Sequence, residues 1–367
     1  GGGRAPARSW VRRPRVLTGL AVVVIALAVA LALLLSGGGQ SAKAAYAGKA
    51  VSVPVTGPTG IAIGPDGVLY VATTSDGQPF EIGTDGQVAA VTTRRLVGKS
   101  SAGIAAAANG DVYVADSDGA VIRRIAHGNG AVTVVAGSGT TGFSGDGAAA
   151  TRARLDGPAG LALDHAGNLY IADSENNRVR RVDRHGTITT VAGTGQSTGG
   201  SADDVGNGGA ATSAVVYDPV GVAVDRRGDL FVAEGYGHRV RKIGPDGLIS
   251  TIAGTGGAPD SSAVVADSGR ATRTALGTLT AVAVDNAGSV YVADQTTYRV
   301  WRIGTTGNIR TVVKSNGLST TQPTFIYEPD SLALDASGAL YIGDDYTDTV
   351  RRISATGARS TVVTDAS

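Results

Sequence analysis

The 367-residue sequence contains no cysteine, which excludes a disulfide scaffold, a thiolate metal site and a cysteine nucleophile. It contains no methionine either, not even at position 1, so the chain is expected to be a processed or partial product. Aromatic residues amount to only 5% and histidines to four, few enough to weigh one by one. Proline, at 12 residues beside 55 glycines, is too sparse for a collagen-like triplet pattern. Acidic residues are missing from the N-terminal region: the first is Asp66, whereas Arg4, Arg8, Arg12, Arg13 and Arg15 stand far ahead of it. From Ser36 onward 27 basic residues face 31 acidic ones. Such a mildly acidic body lacks the clustered cations that phosphate backbones require, so no nucleic-acid partner is expected. With 42% hydrophobic and 17% charged residues, the chain as a whole is not disordered.

What is present begins with residues 16–35, VLTGLAVVVIALAVALALLL, which hold no charge and a single hydroxyl, Thr18. As a helix this run reaches about 30 Å, the thickness of a bilayer core, and it lacks the polar stripe of a soluble helix. A cleaved signal peptide is the rival reading, because Ala42-Lys43-Ala44 resembles a cleavage site. The run exceeds the roughly 7–15 residues of a signal-peptide apolar segment, so a retained transmembrane helix is expected. Five arginines precede it and only Lys43 and Lys49 closely follow. The positive-inside rule then makes residues 1–15 a basic cytoplasmic juxtamembrane segment, 36–49 a flexible linker, and 50–367 extracellular. The expected location is the cell membrane, single-pass.

Internal repetition organises the remainder. An aromatic recurs at Tyr70, Tyr113, Tyr170, Phe231, Tyr291 and Tyr341. Twelve residues before each stand Pro58, Ser101, Pro158, Pro219, Leu279 and Pro329; twelve after stand Ile82, Ile125, Val182, Ile243, Ile303 and Ile353. In the third copy, 161–163, 169–172, 178–182 and 187–192 read as four short strands. The first pair is joined by a turn whose last glycine, Gly167, recurs at Gly67, Gly110, Gly228, Gly288 and Gly338, as a position with positive φ demands. Four antiparallel strands in six copies predict an all-β fold, a six-bladed β-propeller over residues 50–367. For ring closure, 51–55 (VSVPV) and 360–363 both read as a fourth strand of the last blade, competing for or sharing its outer edge.

The third copy, Pro158-Ala-Gly-Leu-Ala-Leu-Asp164-His-Ala-Gly167-Asn-Leu-Tyr170-Ile-Ala-Asp173-Ser-Glu-Asn-Asn-Arg178-Val-Arg-Arg-Val182, resembles the NHL repeat nearly throughout, and the resemblance covers residues 58–367. Long connections such as 136–151 resemble the bacterial, teneurin-like variety. Copy one has Gly64 and Thr73 where the family has aspartates, which predicts looser turns there. A basic segment, one span, a tether and an NHL propeller are together similar to the sensor region of actinobacterial receptor serine/threonine kinases. The resemblance implies a kinase domain that these residues do not encode. Teneurins suggest the alternative of a cell-surface adhesion module. Propeller lyases and lactonases suggest a third reading, a metal enzyme.

The chemistry-bearing residues favour binding over catalysis. His127, His165, His185 and His238 occupy non-equivalent loop positions, partly on opposite faces, and read as solvated rather than as converging ligands. No Ser-His-Asp set shares a face, and neither a catalytic residue, a metal nor a cofactor is expected. Asp116, Asp173, Glu234, Asp294 and Asp344 form a ring at the end of strand two. Calcium is one use of such a ring; the favoured one is structural, each acid accepting backbone N–H bonds and pairing with Arg178, Arg239 or Arg299. The glycine-rich connections lack the lysine of a phosphate loop. Their Asp146, Asn207 and Asp267, each five residues before Thr151, Thr212 or Thr272, read as turn and helix-capping residues.

Because strands alternate in direction, the turns after strand two and the long connections after strand four emerge on one face. Five of the eleven tyrosines are the strand-two aromatics and are expected in the core. Tyr217, Tyr236, Tyr298, Tyr327 and Tyr346 fall on the long-loop face, with Phe143 and Phe325 beside them. Rings gathered on one face suit recognition. An extracellular ligand or protein is therefore expected to dock there, with Tyr236, Tyr298 and Tyr346 as the foremost contacts and Tyr217, Tyr327 and Phe143 around them. Tyr217 and Phe325 also fit a simple role in packing loops onto the blades.

Overall fold

The computed structural model describes residues 48–53, 56–73, 78–93, 96, 101–197, 206–259, 266–315 and 325–365. The expected juxtamembrane segment, transmembrane helix and most of the linker lie outside the described residues. Among the described residues no helix is long and apolar enough to cross a membrane.

Each repeat folds as one antiparallel sheet because its turns are dictated locally. In the third copy the strands are Pro158–Leu163, Leu169–Asp173, Arg178–Val182 and Ile188–Ala192, paired in that order. Between the first two, Asp164 accepts the backbone N–H groups of Ala166 and Asn168, both at 2.9 Å. Gly167 closes the turn at φ 82°, a conformation that a Cβ would strain. Copy one, expected to be looser, keeps the same turn, with Gly67 N–H bonded to Gly64 O at 2.9 Å. Asp66 replaces the missing aspartate by accepting from the N–H of Val68 at 3.2 Å.

Six such sheets close into a ring, since every innermost strand packs against those of both neighbouring blades and the sixth packs against the first. Close approach at the axis sets the residue type: a Cβ on Gly160 would lie 2.6 Å from the Val220 carbonyl oxygen of the next blade. The apolar core is correspondingly divided into six slabs, each drawn from two adjacent blades. Of the strand-two aromatics, Tyr70, Phe231 and Tyr341 are buried. Tyr113, Tyr170 and Tyr291 are only half-buried, which corrects the expectation of a wholly internal set. The rings of Tyr170 and Tyr291 pack inward while their hydroxyls reach the turn aspartates Asp164 and Asp285 at 3.3 and 3.4 Å.

The long connections have their own structure. The described parts of those entering blades three, four and five run along the outer edge of the blade they enter. Gly147 and Ala150 donate to Ile188 and Gly186, and Gly208 and Ala211 donate to Ile249 and Gly247. On the fifth blade the strap becomes a true fifth strand, Ser268–Arg270, antiparallel to Asn308–Lys314. The 3-10 turns that follow, Ala150–Arg152, Ala211–Ser213 and Ala271–Arg273, have Ala149, Ala210 and Arg270 at their N-caps and no side-chain cap. The capping role expected for Asp146, Asn207 and Asp267 is therefore corrected. These side chains reach sideways to the outer strand, binding the Thr190 hydroxyl at 2.7 Å, the Thr251 N–H at 2.7 Å and the Thr311 hydroxyl at 3.2 Å.

At ring closure the two terminal segments share the last blade. Arg359–Asp365 is its fourth strand, and Val51–Val53 adds outside it in parallel, with Val51 opposite Val363 and Val53 opposite Asp365.

Candidate functional site

The five acids at the end of strand two are all buried, and each is engaged within its own blade. Asp173 accepts from the Asp156 N–H at 2.8 Å, the Asn176 amide at 2.9 Å and the Arg180 guanidinium at 3.1 Å. Asp116 binds Gly119 N–H and Arg123, Glu234 binds Arg241, and Asp294 binds the N–H groups of Gly277, Thr297 and the Trp301 indole. Asp344 takes the N–H groups of Tyr327, Glu328 and Thr347. The bonds of Asp173, Asp294 and Asp344 tie the turn after strand two to the segment entering strand one, and those of Asp116 and Glu234 tie it to strand three, which is structural work. The arginine assignment is corrected: the partner lies seven residues on (Arg123, Arg180, Arg241), on the same strand face as the predicted arginine but diagonal to the acid rather than directly opposite it. Arg178 instead donates to the carbonyl groups of Asn176 and Thr194, and Arg299 pairs with Asp267.

The histidines do not converge. His238 Nδ1 lies 2.8 Å from the Gly277 carbonyl of the next blade. His185 contacts Arg184 on the opposite face, where His165 lines a separate hollow with Asp164, Asp225 and Asp285. Among the described residues, no three His, Asp or Glu side chains are grouped to hold a metal ion.

The aromatic residues divide into two sets. Phe143 and Phe325 serve arginines: the Arg178 and Arg180 guanidinium carbons sit 3.7 and 4.8 Å from the Phe143 ring, and those of Arg351 and Arg359 sit 5.6 and 5.2 Å from Phe325. Tyr217 is half-buried. Three others gather where blades five and six meet. The Tyr327 ring lies 5.3 Å from Tyr298 and 4.2 Å from Tyr346, tilted by 34° and 37°. Tyr298 and Tyr346 remain 40% and 56% exposed, and Tyr236, on blade four, 59%. Tyr298 holds this place at φ 54°, where the equivalent positions of other blades carry Ala120, Asn177, His238 and Asp348 at 48–52°. Loss of hydration, then Tyr298, Tyr346 and Glu328, raise the titration of the Tyr327 hydroxyl above its ordinary value.

In the same blade as Tyr327 and Tyr346 lies a residue that reading the sequence did not single out. The second residue of each repeat is Thr59, Ala102, Ala159, Val220, Thr280 and, in the last blade, Asp330. Asp330 lines a narrow axial cavity of about 70 Å³ shared by the innermost strands of all six blades. Its carboxylate has no hydrogen-bond donor among the described residues. Burial first, then Asp345, Glu328 and Asp344, push its pKa up to about 7. Asp345 is raised too, by burial and then by Asp348 and Asp344. Aligning the six copies at this position would have exposed the anomaly.

The fold and the repeat together define an NHL-type six-bladed propeller. The family model of the teneurin NHL domain matches residues 139–202, 191–268 and 253–326, which together span 139–326, or 188 of the 367 residues. The chain belongs to that family. It is 31% identical to teneurin-1 of Gallus gallus over 118 residues, covering 30% of this chain and 4% of that protein. It is 29% identical to NHL repeat-containing protein 2 of Bos taurus over 140 residues, covering 36% and 18%. The chain thus spans a small part of the length of these relatives. Solved structures of similar shape include virginiamycin B lyase from Staphylococcus aureus, with TM-score 0.53, 14% identity and 84% of each chain covered. A chain of a nidogen/laminin complex has TM-score 0.54, 17% identity, and 81% and 92% covered. At such identities the likeness concerns the fold alone.

Proposed function

We propose that the propeller is the extracellular, membrane-tethered recognition domain of a single-pass protein and binds a protein partner through its long-loop face. The observation that carries this reading is the run Tyr298–Tyr327–Tyr346 across two blades, with its two outer rings exposed and Tyr327 half-buried between them. Exposed amphipathic rings clustered on one rigid surface are what interface hot spots are made of. The rest of the architecture is consistent with a sensor, such as that of a receptor serine/threonine kinase whose kinase domain precedes the span. An adhesion role, suggested by teneurin membership, would use the same face. Tyr236 belongs to the proposed surface as a separate contact on blade four, whereas Phe143 contributes by holding its loop against Arg178 and Arg180.

Two experiments test this. Protease added to intact cells should remove the propeller while sparing the N-terminal segment; a soluble form beginning near Ala45 would instead support cleavage. A photo-crosslinking benzoylphenylalanine should capture a protein when it replaces Tyr346, and not when it replaces Thr306 on the opposite face. Equal capture at both positions, or none at 346, overturns the assignment of the face.

A further inference from the structure

The long-loop face is chemically lopsided. At blade six, Glu328, Asp330, Asp345 and Asp348 accumulate around the start of the innermost strand and the turn after strand two. Every charge that acts appreciably on Asp330 is negative, namely Asp345, Glu328 and Asp344; those acting on Asp345, namely Asp348 and Asp344, are negative as well. No lysine or arginine among the described residues compensates either. In blades two, three and four the buried acid ending strand two is instead paired with an arginine, as Arg180 pairs with Asp173 at 3.1 Å and Arg123 with Asp116 at 2.8 Å. A half-buried carboxylate with neither donor nor counter-ion among the described residues still carries a desolvation cost. Asp330 bears that cost while aimed into the axial cavity.

We propose that this mouth of the axial cavity accepts the ammonium or guanidinium group of a lysine- or arginine-rich segment of a partner protein, with Asp330 as its deepest anion and Tyr327 and Tyr346 as flanking aromatic faces. The proposal deepens the reading of the long-loop face as the binding surface and rests on it. Charge complementarity selects a cationic occupant. The absence of three converging ligands among the described residues argues against a metal ion. A cavity of about 70 Å³ admits a side-chain head rather than a whole small molecule. Aromatic faces strengthen the choice, because desolvated cation–π contacts add to the carboxylate attraction. The protein already uses that contact internally, at Phe143 and Phe325.

The test measures anisotropy of a fluorescent tetralysine peptide with the full chain in detergent at low salt, with n-butylammonium as competitor. Saturable binding is expected, displaced by n-butylammonium, stronger at pH 8 than at pH 5.5, and weakened about tenfold by Asp330→Asn, as loss of one close charge partner implies. Asp345→Asn should weaken it less, Tyr346→Ala several-fold as a lost ring contact implies, and Asp246→Asn, an exposed acid on the opposite face, not at all. Absence of binding, indifference to Asp330→Asn, or equal loss with Asp246→Asn would overturn the proposal. If it falls while crosslinking at position 346 persists, the binding face stands with a different occupant; if that capture fails too, both readings fall.

Discussion

Replacing Asp330 by Asn should make the propeller more stable, and more so the higher the pH. The Asp330 pKa is pushed from its ordinary 3.8 to about 7. Between these values the folded chain holds a proton that the unfolded chain releases, so wild-type stability falls as pH rises through the window. At about 1.4 kcal/mol per pH unit the full effect is about 4.5 kcal/mol; water reaching the carboxylate through the cavity reduces it. Asn keeps the shape and cannot ionise. The stability gap between variant and wild type should therefore widen by about 2–3 kcal/mol between pH 5 and pH 8. Urea unfolding of both proteins at a series of pH values measures the gap, and groups not coupled to Asp330 cancel in the difference. Parallel curves would show that Asp330 ionises without penalty, and the argument for an uncompensated anion would be lost. A residue that lowers stability at neutral pH is better explained by binding than by packing.

Two further substitutions probe the scaffold. Gly343 faces Ser331 in the last blade, where blades one to four pair an alanine with a glycine; a Cβ on Gly343 would fall 2.2 Å from Ser331 Oγ and 2.5 Å from Pro58 O. Gly343→Ala should destabilise by about 1–3 kcal/mol, and Ser331→Gly in the same chain should recover part of that; a strictly additive double-mutant cycle would refute the coupling. Asp173→Ala leaves the fully buried Arg180 with only Asp146 as counter-ion and should cost about 3–5 kcal/mol, read as a lower urea midpoint; a loss below 1 kcal/mol would mean that the pair is incidental.

The blades were legible in the sequence because their turns are chemically forced: one glycine at positive φ closes each hairpin, in blades three to six one carboxylate accepting two N–H groups fixes it, and the 24-residue spacing follows. The edge straps were not legible, since segments such as Ser268–Arg270 pair through backbone alone and carry no apolar alternation. The arginine register was misjudged for a different reason: Arg178 and Arg180 share one strand face, and spacing does not reveal whether the long guanidinium arm directly opposite the acid or the one diagonal to it closes the pair. Tyr236, Tyr298 and Tyr346 could be placed on one face by topology, whereas the contact of Tyr298 and Tyr346 with Tyr327 depends on how blades five and six abut. Asp330 was hidden by position, since attention to loops passes over the inner strands, where a lone charge among small residues is most informative.

The edge straps also suggest an order of assembly. A strap residue meets its outer strand 44 residues later, as Asp146 meets Thr190, so five blades can form through contacts of modest range. The last seam is different: Ser52 Oγ donates to Asp365 O across 313 residues. On a logarithmic loop scale that longer span adds only about 1.7 kcal/mol to closure entropy, yet it must wait for everything between. The ring should therefore zip from blade to blade and latch last at the sixth, the blade that carries the tyrosines and Asp330. Local opening in the folded protein should begin at the same latch, so amide exchange should run faster in Val51–Val53 than in the strands of blades three and four.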